Sequence, residues 1–429
     1  MPRHSSRIPT RTAMISPETI TLDLDQPGHR GVVIGQNDGQ IVFVRGGLPG
    51  EKGVEVALDP AKKSGKQRFR TGQALAIDQP SPHRVAGQCD AAAAGAGCCD
   101  LDFVDAHGSL DFKQAVVIDQ FRRLAKFELS QAFLDAHVRA TSLWPFTHYR
   151  HRARLGVDAE GQAGLRKPKS NEIVPLAEVE CSQWLPGLAE GVAGLNPSPH
   201  SEIVVGVGRD GKRSVVELKK TRRGRKRRVL DGDGEVLHSH LGVSWKVPVD
   251  AFWQSHIQAS AYYARWVADR LNGELHTVWD LYGGCGALSA GLLGSARNVE
   301  IVDVASSATQ AGREAFAAAR EAGSEATDTA VRFRSSDVGA WLENLEEVAK
   351  LDAVVLDPPR TGAGAAVIQN IAQHRPPRVI HIGCDPATAA RDAGLWRDAG
   401  YELREMEIVD AFGLAHHVET LLYFEAAGE

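Results

Sequence analysis

From about residue 257 to the end, short apolar runs alternate with stretches whose apolar positions recur every three or four residues. His276–Leu281, Val299–Asp303, Ala353–Asp357 and Arg378–Ile382 read as strands with helical segments between them, and Thr420–Phe424 adds another strand. Such alternation specifies an α/β fold with a doubly wound parallel sheet. Ligands of these sheets bind beyond the carboxyl ends of the strands.

Residues 17–78 carry a different pattern. Thr19–Leu24, Gly31–Ile34, Ile41–Val44, Gly53–Leu58 and Gly72–Ile77 are short runs separated by Gly, Asp and Pro turns. Five strands at this spacing predict an OB-type β-barrel. Lys62, Lys63, Lys66, Arg68 and Arg70 share one connection, as a groove tracking a nucleic-acid backbone requires, or as solvated loop charges. Residues 79–108 are rich in Gly, Ala and Cys. Leu110–Ala136 reads as one helix, with Phe112, Val116, Ile118, Phe121 and Leu124 along its apolar side. Residues 145–250 read as mixed and strand-rich.

Composition narrows the class. A 429-residue chain that is 43% hydrophobic and 24% charged belongs to a globular protein of two or three domains. No apolar stretch is long enough to span a bilayer, and no apolar segment follows the basic Met1–Thr12, so a cytoplasmic protein is expected. The net charge of −5 gives no hint of nucleic acid, yet eight of the ten positions from Lys219 to Arg228 are cationic. The turn-like Asp231–Gly234 sets that run beside a hairpin. Six cysteines are present, and Cys89, Cys98, Cys99 and Cys181 precede the α/β region. Clustered thiols in a cytosolic chain point to metal or catalysis before disulfides.

Three motifs carry chemistry. Asp280-Leu-Tyr-Gly-Gly-Cys-Gly286 ends the first strand and opens a helix from about Ala287, and Asp303 ends the next strand twenty residues after Gly283. Glycines allow close backbone approach, and an acid at that spacing accepts from ribose hydroxyls. A dinucleotide fingerprint would need a third glycine where Ser289 stands, so S-adenosylmethionine, which has no phosphate, fits better than a dinucleotide. A ligand-free glycine turn is the competing reading. Asp357-Pro-Pro-Arg360 fixes a carboxylate at a rigid turn, and Arg360 replaces the aromatic residue usual in methylases of exocyclic amines. Cys384, in Gly383-Cys-Asp-Pro, reads as a nucleophilic thiol or as a buried structural cysteine, and Glu419, in His416-His-Val-Glu419, can serve as a base. His416 and His417 read as structural or substrate-orienting rather than as metal ligands.

One reaction uses all of these residues. Carbon 5 of uracil is a poor nucleophile until a thiolate adds at carbon 6. A base must then remove the carbon-5 proton so that the thiol can leave. Cys384, Glu419 and Asp357 fit the thiol, the base and the reader of the pyrimidine edge, and the target base must leave any helix it occupies.

The chain resembles the bacterial RNA 5-methyluridine methyltransferases that carry an N-terminal TRAM domain. The likeness rests on Leu48-Pro-Gly-Glu51, Tyr149-Arg-His-Arg-Ala-Arg154, Phe252-Trp-Gln254, Asp280–Gly286, Asp357–Arg360, Cys384–Thr388 with Arg391-Asp392, and His417-Val-Glu419. It implies a TRAM barrel over 17–78, a cysteine-rich and RNA-binding central region over 79–250, and a Rossmann-like methyltransferase domain over 251–429. It further implies Cys384 as nucleophile and Glu419 as base, with Gln254, Tyr282, Asp303, Asp337 and Asp357 lining the cofactor and base pocket. Phe252 and Arg360 would meet the substrate, and Cys89, Cys98, Cys99 and Cys181 would hold a 4Fe-4S cluster. The implied partner is ribosomal or transfer RNA, bound by a monomer away from any membrane.

The chain departs from the family pattern at several places. Cys98 and Cys99 are adjacent where the family has Cys-Gly-Gly-Cys, and Asp385 replaces an Asn beside the nucleophile, where an ionised carboxylate would oppose thiolate formation. Gly413 and Ala415 stand for Pro and Thr, and Ala287 for Asn. Two other functions compete. A 5-methylcytosine enzyme would carry a cysteine where Arg360 follows Pro359, and an RNA-binding protein with a vestigial methyltransferase would not need the Cys384/Glu419 pair.

Overall fold

The computed structural model describes residues 18–60, 68–127, 129–177, 179–222, 224–323, 328–345 and 350–428. Lys62, Lys63, Lys66 and Arg223 lie outside the described residues. The chain divides after Pro82 into two compact units.

The first unit is a six-stranded sheet of β1 (Thr19–Leu22), β2 (Leu24–Gly28), β3 (Val32–Asn37), β4 (Gln40–Arg45), β5 (Lys52–Leu58) and β6 (Phe69–Gln79). The order β1-β5-β6-β4-β3-β2 puts β1 and β2 at its two ends, although only Asp23 separates them in the chain. The sheet therefore curls back on itself. Alternate side chains such as Val42 and Val44, or Val54 and Val56, fill the interior, following the period-two geometry of a strand. Glu51 of the Leu48–Glu51 turn is fully buried and accepts the Leu48 and Ser81 backbone N–H groups.

The second unit begins with the one-turn helix α1 (Asp90–Ala93) and α2 (Ala106–Gln120), capped by Asp105, whose Oδ1 accepts the Gly108 N–H at 2.7 Å. The single helix expected over 110–136 is interrupted. A π-helical turn (Phe121–Ala125) leads to Lys126 at φ +53°, which ends the helix, and α3 (Gln131–His137) restarts after the Ser130 cap. A left-handed residue cannot continue a right-handed helix.

A six-stranded antiparallel sheet follows, of β8 (Arg152–Val157), β9 (Ala163–Arg166), β10 (Ile173–Pro175), β11 (Glu202–Val207), β12 (Arg213–Thr221) and β13 (Gly224–Asp231). The basic run does not sit beside a hairpin; it forms the hairpin β12–β13, with Lys219 opposite Lys226 and Lys220 opposite Arg225. Its glycine-rich follower turns the chain into a second hairpin, β14 (Glu235–His240) and β15 (Val243–Pro248).

The C-terminal region forms an eight-stranded sheet. Its strands are β7 (Val138–Ser142), β16 (Leu275–Leu281), β17 (Ala296–Asp303), β18 (Ala330–Ser335), β19 (Ala353–Leu356), β20 (Arg378–Gly383), β21 (Tyr401–Asp410) and β22 (Glu419–Ala426). The order is β18-β17-β16-β19-β20-β22-β21-β7. Helices α4 (Ala259–Arg270), α5 (Ser306–Glu321), α6 (Val338–Glu343), α7 (Gly364–Gln373) and α8 (Pro386–Asp398) accompany it. The sheet departs from the parallel expectation at β22, which runs antiparallel to both β20 and β21. Along the central strands, neighbouring residues go to opposite cores: Val278, Val355 and Ile380 to one, Trp279, Val354 and Val379 to the other. A strand buried on both faces carries no polar alternation, which is why these segments read as continuous apolar runs.

Candidate active site

Tyr282 follows β16, Asp303 ends β17, Asp337 lies just past β18, Asp357 follows β19 and Cys384 follows β20. Five adjacent strands thus deliver five of the expected residues to one edge of the sheet. The antiparallel β22 delivers the sixth. Gly383 of β20 pairs with Thr420 of β22, so one step along the ladder sets Cys384 opposite Glu419.

The glycine loop is shaped by close contact. A Cβ on Gly283 would lie 2.7 Å from the Asp280 carboxylate. Asp280 is fully buried; its Oδ2 accepts the Ser289 hydroxyl, while Oδ1 has no partner among the described residues. Burial raises its pKa to about 7. Asp303 braces the loop from the next strand, accepting the Gly284 N–H at 3.0 Å and the Ala305 N–H at 2.7 Å. Tyr282 sits at φ +61°, a conformation that non-glycine residues adopt mainly where a site demands it. The helix expected from Ala287 is only a short 3-10 turn, Ser289–Leu292, before β17 begins. Asp337 caps α6 through the Ala340 N–H at 3.0 Å.

The groups expected to react are held in a poorly solvated, acidic corner. Glu419 is 4% exposed, and its Oε2 has no hydrogen-bond partner among the described residues. Burial pushes its pKa well above the usual carboxylate value, and Asp357 pushes it further. Asp357 is itself raised to about 7 by burial and by the charges of Asp280 and Asp303, and it accepts the Gln254 amide at 3.4 Å. Cys384 is half-buried, and burial followed by Glu419 and Asp357 raises its thiol to about 12. Arg360 opposes both shifts, favouring the thiolate and the carboxylate alike. Phe252 is 70% exposed, two residues before Gln254.

The Asp385 departure has a structural answer. Its Oδ1 accepts the Ala387 and Thr388 N–H groups at 3.1 Å each, capping α8. The carboxylate is thus turned onto a helix N-terminus, where negative charge is favourable. The same helix clamps the Asp357–Arg360 turn. Thr388 donates to the Arg360 carbonyl at 3.1 Å, Arg391 to the Thr361 carbonyl at 2.8 Å, and buried Asp392 accepts the Ala363 N–H at 2.7 Å.

Sequence reasoning missed two supports. Lys113 of α2 is buried against Asp410 at 2.6 Å, and Ser109 donates to the same carboxylate at 2.7 Å. The pair fastens the segment leading to Glu419, and the signal was a lysine inside the apolar stripe beside Phe112 and Val116. Tyr263 is the other: its hydroxyl is fully buried with no partner among the described residues, and burial, followed by Glu419, Asp357, Tyr262 and Asp410, pushes its pKa up.

Cys89, Cys98, Cys99 and Cys181 converge with all four sulfurs within 4.8 Å of one another. Adjacency of Cys98 and Cys99 does not prevent this, since each lies 3.6 Å from the Cys181 sulfur. Four thiols are the donor set of 4Fe-4S and structural zinc sites, and they fit the expected cluster by ligand type. Their loop is tied to the loop before Glu419. Leu101 donates to the Leu414 carbonyl at 3.0 Å, and the His416 N–H to Asp100 at 2.9 Å. The Gln183 amide bridges the Cys98 and Gly413 carbonyls at 3.0 and 3.3 Å. Gly413 accepts no larger residue, because a Cβ there would lie 2.0 Å from the Phe146 carbonyl oxygen. His416 is held by Asp100, and burial keeps His417 neutral with a pKa near about 3.

The fold is that of a Rossmann-like methyltransferase, with the Cys384 thiol at the carboxyl edge of its sheet. The family model described as tRNA (Uracil-5-)-methyltransferase matches residues 234–427. An uncharacterized RNA methyltransferase of Corynebacterium glutamicum is 39% identical over 95% of this chain and 97% of its own. The 23S rRNA (uracil(1939)-C(5))-methyltransferase of Shewanella denitrificans is 27% identical over 97% of this chain and 98% of its own. In three dimensions, the tRNA (uracil-54, C5)-methyltransferase of Pyrococcus abyssi superposes with a TM-score of 0.67 at 18% identity, covering 94% of this chain and 99% of that one. The chain belongs to the RNA (uracil-5-)-methyltransferase family, whose methyl donor is S-adenosylmethionine.

Proposed function

We propose that the protein methylates carbon 5 of one uridine in a ribosomal or transfer RNA through a covalent cysteine adduct. The observation that carries this reading is the β20–β22 register, which sets Cys384 opposite Glu419 beside Asp357. The orphaned Asp280 oxygen and the loop at Gly283 fit a polar cofactor, with Tyr282, Asp303, Asp337 and Gln254 as its binding residues. S-adenosylmethionine bound there supplies an electrophilic methyl group.

Cys384 gives up its proton to solvent, with Arg360 favouring the ionised form, and the thiolate adds to carbon 6 of the uracil, pushing electron density to the carbon-4 oxygen and making carbon 5 nucleophilic. After carbon 5 has gained its methyl group, the Glu419 carboxylate removes the carbon-5 proton. The resulting electron pair expels the sulfur, which leaves as thiolate. Burial and Asp357 raise the Glu419 pKa while Arg360 lowers it, and Glu419 acts as base once its proton has passed to solvent. Arg360 supports both ionised forms in turn. Asp357 and Gln254 face the pyrimidine edge and exclude cytosine by hydrogen bonding, and Phe252 packs on the extruded base. The cysteine-rich site holds a 4Fe-4S cluster whose loop supports the segment leading to Glu419.

Transfer of label from S-adenosylmethionine to total RNA, followed by nucleoside analysis, tests the reading. Labelled 5-methyluridine is expected, and none with Cys384→Ala. Labelled 5-methylcytosine, or product formation without Cys384, refutes it.

A further inference from the structure

The Tyr149–Arg154 segment has a charge problem that the methylation chemistry leaves unanswered. Arg150, Arg152 and Arg154 alternate along one edge and, with Asp250, Phe252 and Ser255, line an open groove of about 230 Å³. Alternation by two puts all three guanidinium groups on one side of the strand. Arg154 is paired with Glu202 at 3.1 Å, a carboxylate it shares with Arg166 and Arg225. Arg150 meets the Ser255 hydroxyl at 3.3 Å and the Tyr149 side chain but no carboxylate, and its Nε is buried without a partner among the described residues. The Arg152 guanidinium has no hydrogen bond and no ion pair among the described residues. Burial and the charges of Arg154 and Arg150 lower its pKa to about 10 against the pull of Asp250. Asp250, the one carboxylate lining the groove, is taken by Arg227 at 2.8 Å.

A partly desolvated cation between two like charges is unfavourable unless an anion completes it. Arginine forks match phosphate oxygens, and the exposed Phe252 ring at the rim suits a ribose or base beside them. The groove also adjoins the base pocket. His151, between the arginines, bonds through Nε2 to the Gln254 carbonyl at 2.9 Å, and Gln254 reaches Asp357.

We propose that this groove is a phosphodiester-binding site that receives the RNA backbone next to the target uridine, with Arg152 as the anion's principal ligand. The inference rests on the RNA-methylation reading and deepens it. It gives the strand a route: phosphate over Arg150 and Arg152, base turned past Phe252, target ring toward Cys384.

The test measures binding of a fluorescein-labelled oligouridylate, about twelve nucleotides long, by anisotropy across a series of salt concentrations. Calorimetric binding of S-adenosylhomocysteine to the same protein reports folding. Arg152→Gln is expected to weaken oligouridylate binding several-fold and to reduce the salt slope by about 0.7, the value for one phosphate contact on a single strand. Arg152→Lys should keep the slope. In turnover, Arg152→Gln should raise KM for RNA with kcat near wild type. An unchanged slope with intact S-adenosylhomocysteine binding overturns the proposal. Should Arg152→Gln lose S-adenosylhomocysteine binding, Asp250→Asn decides: removing that competing carboxylate should tighten oligouridylate binding at least about twofold, and unchanged or weaker binding overturns the proposal. Wild-type protein that binds oligouridylate but transfers no methyl group to RNA sinks the methylation reading and leaves the groove standing. Active wild type with an unaffected Arg152→Gln slope sinks the groove alone.

Discussion

The thiol of Cys384 should be strikingly unreactive in the free enzyme, and Asp357 should be part of the reason. Its pKa stands at about 12 against an ordinary 9.0, from burial, Glu419 and Asp357 in that order. At a pH of about 8, an ordinary thiol is roughly one-tenth ionised, whereas one near 12 is ionised roughly once in ten thousand. Because the thiolate is the nucleophile, alkylation should be about a thousandfold slower than at an exposed cysteine. Asp357, with a pKa of about 7, is ionised at that pH, and a close like charge displaces a pKa by about 1–3 units. Asp357→Asn should therefore speed alkylation of Cys384 at least about tenfold. Iodoacetamide labelling at several pH values, quantified on the Cys384 peptide by mass spectrometry, measures both effects. Wild-type Cys384 reacting like an exposed thiol, or an Asp357→Asn rate within about twofold of wild type, would refute the electrostatic account. Arg360→Gln should move the rate the opposite way.

Glu419→Gln should accumulate a covalent protein–RNA adduct on denaturing gels, because addition remains possible and proton removal does not; free RNA alone counts against Glu419 as base. The same change should stabilise the fold above about pH 5. Folded Glu419 keeps its proton where the unfolded chain, at an ordinary 4.5, has lost it, so stability falls as pH rises from there toward the folded pKa. Urea midpoints that differ from wild type equally at low and neutral pH would oppose this. Lys113→Met should cost about 3–5 kcal/mol by leaving Asp410 buried with its charge unanswered, and Lys113→Met/Asp410→Leu should recover much of it. A single-variant cost below about 1 kcal/mol in denaturant titrations would show the pair to be ornamental. Anaerobically purified protein should contain iron and acid-labile sulfide in equal amounts, and stoichiometric zinc without sulfide would replace the cluster by a single ion.

Legibility in the sequence followed burial and local chemistry. The central strands could be read because double-sided burial leaves unbroken apolar runs such as Ala353–Leu356. Asp303, Asp357 and Cys384 could be picked out because each stands at a strand end marked by glycine, proline or acid, whereas Gln254, Tyr282 and Asp337 were named through the family resemblance alone. What stayed hidden was settled by distant contacts. Nothing local announces that β7 joins the far edge of the catalytic sheet beside β21, or that Lys113 meets Asp410. The break at Lys126 was hidden because no glycine or proline marks it. The Arg152 deficit was equally hidden, since only the fold decides which carboxylates come within reach.

The pairing of Cys384 with Glu419 is enforced by interstrand registration rather than by the 34 residues between them. Lengthening the connection near Ala399 and Gly400, between α8 and β21, should cost the chemistry little, because the loop carries none of the alignment. Deleting one residue within the first turns of β22 would be another matter. It would bring Val418 or Thr420 to face the sulfur, and every side chain beyond would change faces at once. Homologous chains can therefore drift freely in the length of this excursion, while their two strands must stay in step to a single residue.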